Sequence, residues 1–306
     1  MADDDMQLAL YCCYELHYRG FAGVDDRWEW EPSLIRFRAV LEEAFDSHLR
    51  RLLADQPVVP AEEVPDALWA MTAQGGGRSL SRWLVEHGTL GHAREFAMHR
   101  SAYQLKEADP HTWGIPRLTG RAKAAMVTIQ TDEYGGGIAA RMHSSLFAEA
   151  MVALDLDPTY GAYLDLLPGS TLATCNLISM FGLHRRLRGA LVGHLALFEM
   201  TSVGPMSRYA RWLRTLGVSP EGRVFYDVHV EADEVHQHIA ADDLVGGLLA
   251  AEPDLGQAVL FGARAVSLVE SCFSSHLLDR WIDRHSSLTL PSDGLTTALA
   301  AGVGRA

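Results

Sequence analysis

Between its glycines and prolines, this chain repeats its apolar residues at three- and four-residue spacing almost from end to end, and alternating β-branched runs are nearly absent. Three-and-four spacing is the helix period, whereas a half-buried strand needs alternation. The pattern therefore predicts an all-α protein. Helices are expected over Asp4 to Arg19, Ser33 to Ala54 behind Pro32, Asp66 to Ala73, Ser79 to Glu86, Leu90 to Ala108, Leu118 to Tyr134 and Ile138 to Leu154. Further helices are expected over Thr171 to Phe181, Leu183 to Thr201, Pro205 to Leu216, Pro220 to Ala250 with a break near His229, and Asp254 to Arg284. Gln56 to Pro65 reads as a Pro-rich acidic linker. About ten such helices make one bundle. The 306 residues, 48% of them hydrophobic, suffice for a sizeable core. They read as a single domain, with an N-terminal helical part over 1–88, chemistry-bearing core helices over 89–285 and a loose Ser/Thr/Gly/Ala-rich tail over 286–306.

Charge and cysteine usage narrow the function classes. Acidic residues outnumber basic ones 39 to 26, for a net charge of -13, the opposite of a nucleic-acid binder. The one basic cluster, His184 to Arg188, is short and reads as a solvated helix face. The acidic start, Met1 to Asp5, is unlike a secretory signal, and no uncharged apolar stretch suggests a membrane span. Cys12, Cys13, Cys175 and Cys272 fit neither a metal knuckle nor a disulfide scaffold. A cytoplasmic protein with reduced thiols is expected.

Four segments carry the candidate chemistry. In the first, His229, Asp233 and His236 are spaced i, i+4, i+7, which places them on one narrow stripe of a helix. Two imidazoles and a carboxylate on one face suit a divalent metal such as Fe or Mn, though a polar surface helix would look the same. In the second, Glu133 and His143 flank Gly135-Gly136-Gly137. Three glycines cost a helix about 1 kcal/mol each, so they mark either a plain break or a bend that lets both side chains enter one cavity. In the third, Glu107 closes the Leu90 helix. In the fourth, Glu199 lies inside the apolar run Leu191 to Met200, where a buried carboxylate needs a cation or hydrogen-bond donors. Together these are three histidines and four carboxylates on separate helical segments. Carboxylate-rich ligation with two or three histidines is what O2-activating diiron sites in helical bundles use.

In that order along the chain, Glu107, then Glu133 and His143, then Glu199, then His229-x3-Asp233-x2-His236 resemble the haem-oxygenase-like diiron oxidases and oxygenases, the iron-containing redox enzymes. The resemblance covers about Leu90 to Leu278. It implies the helical bundle shared by haem oxygenase and TenA-type proteins, with a diiron cluster in place of haem. It implies that the seven residues hold two Fe, that O2 is the co-substrate and that an external reductant, from an electron-donor protein or a small molecule, completes the reaction. The family includes N-oxygenases, desaturases, decarboxylases and C–C lyases. Glu133 resembles the additional carboxylate of the N-oxygenating members, which points to N-oxygenation of a small amine or amino-acid-like substrate, with desaturation or oxidative C–C cleavage as alternatives.

Tyr103, Tyr134, Arg141, Met180 and Arg208 are the candidate substrate or supporting residues. Other classes compatible with a helical bundle are a haem-binding or haem-degrading protein, a Cys-dependent TenA-like enzyme, and a non-enzymatic helical binding protein. A homodimer is the common assembly for such a chain.

Overall fold

The computed structural model describes residues 3–73 and 78–289. Among them there is no strand. The helices are, in order, α1 (Asp4–Glu15), α2 (Pro32–Leu52), α3 (Val64–Ala73), α4 (Leu80–His87), α5 (Leu90–Gln104), α6 (Asp109–Thr112), α7 (Gly120–Glu133), α8 (His143–Ala153), α9 (Gly169–Leu183), α10 (Arg188–Thr215), α11 (Val224–His238), α12 (Gly246–Ala251) and α13 (Gly256–Ile282). Local chemistry sets several starts. The Asp3 carboxylate accepts from the Met6 N–H at α1, and Thr89 and His92 form a reciprocal cap at α5.

Helix α10 is the hub, packed along α13 on one side and α11 on the other. Where α10 crosses α13, a Cβ at Gly193 would overlap the carbonyl of Val259, and one at Gly262 would overlap that of Ala190. The two backbones touch because neither position carries a side chain. Leu191, Val192, Ala196, Leu260 and Ala263 around the crossing are fully buried. By length and composition, Pro253–Ile282 would suffice to cross a membrane; here α13 is the partner of α10 in the core.

Several boundaries differ from expectation. Helix α10 runs on through Pro205 instead of splitting there. Proline forfeits one backbone hydrogen bond, but buried Leu195, Leu197 and Met200 before it and Met206, Tyr209 and Trp212 after it hold both halves in the core. Helix α11 is unbroken at His229; the interruption is a π-helical stretch, Ile239–Val245, further on. The Leu90 helix stops at Gln104, short of Glu107. The opening of the tail is tied down, because the Ser287 N–H and Oγ both donate to Glu95 Oε2, at 2.8 and 2.6 Å, and His99 Nε2 lies 2.9 Å from the same Oγ. Residues 290–306 of the expected loose tail lie outside the described residues. The basic cluster is spent on ion pairs, His184 with Glu42, Arg186 with Asp46 and Arg188 with Glu252.

Candidate metal centre

Glu107 is aimed by a turn, not by a helix. The next residue, Ala108, has φ 75° and ψ −33°. A non-glycine there costs on the order of 1–3 kcal/mol and persists only where its surroundings impose it. Gln130 Nε2 from α7 donates to the Ala108 carbonyl at 2.8 Å, and the Thr112 N–H donates to the same oxygen at 3.1 Å. The strained turn is thus pinned from two sides, and it points Glu107 inward.

The triple glycine makes the second placement. Gly135, Gly136 and Gly137 have φ of 64°, 62° and 81°, a region that favours glycine. A Cβ on Gly135 would collide with the backbone of Arg141 and Met142. The chain doubles back, and the helix resumes at His143, not at Ile138 as expected. Glu133, the last residue of α7, then places Oε2 2.8 Å from Nδ1 of His143, the first residue of α8. Glu199 enters from the middle of α10. His229, Asp233 and His236 share the buried stripe of α11, where the i, i+4, i+7 spacing puts them.

The seven side chains converge. One donor atom each from Glu107, Glu133, His143 and His229 lie within 4.8 Å of one another, and so do those of Glu133, Glu199 and His236. Glu133 belongs to both groups. Asp233 is in neither group but stands beside the second, with Oδ1 3.9 Å from His236 Nδ1. None of the seven is more than 7% exposed.

Their bonding is incomplete in a specific way. Buried polar atoms ordinarily have partners. Glu107 Oε2, Glu133 Oε2, His143 Nδ1 and His236 Nδ1 form no hydrogen bond, although Glu133 and His143 are close, and His236 Nδ1 is 3.3 Å from Glu199 Oε2. Such atoms face one another as donors of lone pairs, which a shared cation would satisfy. The opposite nitrogens are already committed. His229 Nδ1 lies 2.6 Å from the Phe225 carbonyl, and His236 Nε2 lies 3.0 Å from Asp132 Oδ2. A proton held on those outer nitrogens leaves the inner ones free for a metal. Ser202 Oγ donates to Asp233 Oδ2 at 2.5 Å.

Electrostatics agree. Burial raises Glu107 and Glu199 above the usual carboxylate range. Burial, and then the Glu199 charge, push Asp233 up to about 7. Burial opposes the charge on His229 and His236, but Glu107 and Glu199 outweigh it and raise them to about 10 and about 9. For Glu133, burial works upward, yet the adjacent His143 brings it below its ordinary value. Without a cation, these groups balance one another by sharing protons. The cavity bordered by Glu107, Glu133, Glu199, His229 and Asp233 is about 20 Å³, room for an object of roughly one water's size.

Of the five supporting candidates, only Tyr103 lines this cavity. The Tyr134 hydroxyl is taken up by Asp109, at 2.8 Å, and Thr112. Arg141 is exposed on the glycine-led turn, and Met180 is fully buried in the apolar core of α9. Arg208 Nε donates to Ser81 Oγ, away from the metal-sized cavity. Tyr134, Arg141 and Met180 thus lie off the metal-sized cavity, and Arg208 meets Ser81, which borders a larger neighbouring cavity. Conversely, Asp132, Ser202 and Ala108 were not anticipated. Asp132 stands beside Glu133 in the chain but acts on a histidine of another helix, and no local spacing marks it.

Comparison with known proteins bears on this cluster directly. The family model described as "iron-containing redox enzyme" matches residues 94–271, a span that contains all seven residues. A nitrosourea synthase from Streptomyces achromogenes subsp. streptozoticus is 26% identical over 176 residues, covering 56% of this chain. The match spans 37% of that relative's own length, so the two proteins share one part only. With a helical bundle, a buried carboxylate–histidine cluster and a family match across both, the chain belongs to the iron-containing redox enzymes and is an oxidoreductase.

Proposed function

We propose that the chain is a non-haem diiron, O2-dependent oxidase or oxygenase of a small organic molecule, acting by N-oxygenation of an amine or amino-acid-like substrate. The observation that carries the reading is the pair of donor groups joined through Glu133. Glu107, Glu133, His143 and His229 would hold one iron, and Glu133, Glu199, Asp233 and His236 the other. When bound, the iron pair would supply O2 reduction and oxidation of the substrate, with electrons from an external reductant. The protein's own part is local. Phe225 and Asp132 fix which nitrogens of His229 and His236 face inward, Ser202 orients Asp233, and the small cavity excludes bulk water. The nitrosourea synthase relative supports N-oxygenation over desaturation or C–C cleavage. A cavity of about 20 Å³ bordered by orphaned carboxylates does not favour the haem-binding alternative.

The test is an anaerobic Fe(II) titration followed by O2. Uptake of about two Fe per chain, with an O2-dependent transient in visible absorbance, is the expected result. Glu133→Ala should abolish paired uptake, and His229→Ala or Asp233→Ala should each lower the stoichiometry. Unchanged uptake in all three variants removes these residues from the ligand set.

A further inference from the structure

A larger cavity of about 360 Å³ adjoins the metal-sized one, and Phe198, Ser202 and Met206 border both. Its volume is that of a small-molecule site. One half of its wall is aromatic and aliphatic, with Phe96, Phe147, Phe225 and Val266 among it, and the other half is polar, made largely of serines and threonines with Arg78 at one side. Set into that wall is a half-buried ion pair. Arg100 Nη1 and Nη2 donate to Glu270 Oε1 and Oε2 at 2.9 and 2.7 Å, and the two side chains are 14% and 25% exposed. Beside them is Gln104, 4% exposed, whose side-chain oxygen has no hydrogen-bond partner. Apolar side chains of like volume are often as stabilising as a buried ion pair, so stability alone is a weak reason for this one.

We propose that this cavity is the substrate site and that Arg100, Glu270 and Gln104 hold the zwitterionic head of an α-amino acid, whose side chain extends past Phe198 toward the metal cluster. This rests on the diiron reading for the chemistry, but not for the binding. Arg100 has N–H groups beyond the two given to Glu270, and they suit a carboxylate. Glu270 and the Gln104 oxygen are acceptors, and they suit an ammonium. Tyr209 and Tyr226 share the wall, and burial raises both phenols, Tyr209 to about 12, so they stay protonated donors. Charge balance at the pair itself favours a zwitterion. The pair is neutral, and a zwitterion leaves it neutral. A plain amine or a plain carboxylic acid would leave a net charge beside this half-buried pair. Arg100 lies in the last turns of α5 and Glu107 in the turn beyond its end at Gln104, a separation of seven residues that even at the helical rise spans on the order of 10 Å. The atom presented to the cluster is therefore at the far end of the side chain, not the α-nitrogen.

Binding to metal-free protein tests this without any turnover. The panel is the standard L-amino acids plus L-norleucine. For norleucine, lysine and phenylalanine it includes the decarboxylated amines (pentylamine, cadaverine, phenethylamine) and the deaminated acids (hexanoate, 6-aminohexanoate, 3-phenylpropanoate). Thermal shift and calorimetry should find at least one long-side-chain amino acid bound at least 10-fold tighter than its matching amine and acid. Glu270→Gln leaves Arg100 alone and should invert the preference toward the acid, and Arg100→Gln should invert it toward the amine. A merely structural pair would weaken all three classes equally. Fe(II) uptake by both variants should match the unaltered chain, which shows them folded. If no amino acid of the panel binds the unaltered chain, or if amine or acid binds as tightly, the proposal is overturned, whatever the variants do. Failure of iron uptake with amino-acid binding intact would instead sink the diiron reading alone.

Discussion

Lys106 and Glu107 are neighbours in the chain, and both are buried, at 1% and 6% exposure, yet their surroundings are opposite. Lys106 is satisfied. Its Nζ donates to Glu15 Oε2 at 2.7 Å and lies over the rings of Tyr11 and Tyr18, at 4.7 and 4.3 Å from their centroids. Glu15 also accepts from the Tyr160 hydroxyl at 2.6 Å and from the Arg19 N–H. Glu107, one residue on, keeps an oxygen without a partner and lies 3.7 Å from an imidazole. Burial of charge does not distinguish a functional site from a structural one. Their bonding differs: the Lys106 ammonium and the Glu15 carboxylate are matched by protein atoms, whereas Glu107 keeps an oxygen that a cation would satisfy.

The largest effect expected from this contrast is on the structural side. Lys106→Met strands the Glu15 carboxylate in the core and should cost about 3–5 kcal/mol, read as a fall in denaturation midpoint. The double change Lys106→Met/Glu15→Leu should recover most of that loss. A Lys106→Met single variant as stable as the unaltered chain would erase the distinction between the two clusters.

On the metal side, Asp132→Asn and Ser202→Ala remove the groups that orient His236 and Asp233. Each should weaken metal affinity by about 10–100-fold, measured by competition with a chelator, and leave the stability of metal-free protein nearly unchanged. Asp132→Asn should be the milder, because the Asp132 side chain is 57% exposed and a partner in water is weaker.

The smallest effect is a pH trend with a defined sign. Glu107, Glu199, Asp233, His229 and His236 all hold protons more tightly in the folded chain than in the unfolded one. Their stabilising contribution is therefore fullest below the unfolded values, about 4 for carboxyls and about 6.5 for imidazoles. It is lost as pH rises through about 7 for Asp233 and about 9 and 10 for His236 and His229. Glu133, whose pKa is lowered, runs the other way. The melting temperature of metal-free protein should fall between pH 5 and pH 10, and bound Mn(II) should flatten the fall by displacing those protons. A rise in chelator-treated protein would contradict it.

The α11 stripe was legible because it depends only on the pitch of one helix. His229, Asp233 and His236 share a face whatever surrounds them, and the strongly apolar run around Glu199 marks it as buried for an equally local reason. Glu107 and His143 were legible as residue types in order, but not in placement. Spacing alone predicts a helix end at Ala108 and a break or a bend at the glycines, since φ of either sign leaves no trace in periodicity. Asp132 and Ser202 were not legible at all.

The sequence by itself determined which segments are helical and which of them bury carboxylates and imidazoles, because propensity and apolar spacing act within a few residues. Only the tertiary structure decided that Glu133 faces both donor groups, that Lys106 is matched by Glu15 from the N-terminal helix, and that Arg100 and Glu270 meet on one cavity wall. Those are distances between residues tens to hundreds of positions apart, and they are set by how closely helices such as α10 and α13 pack, which no local spacing encodes.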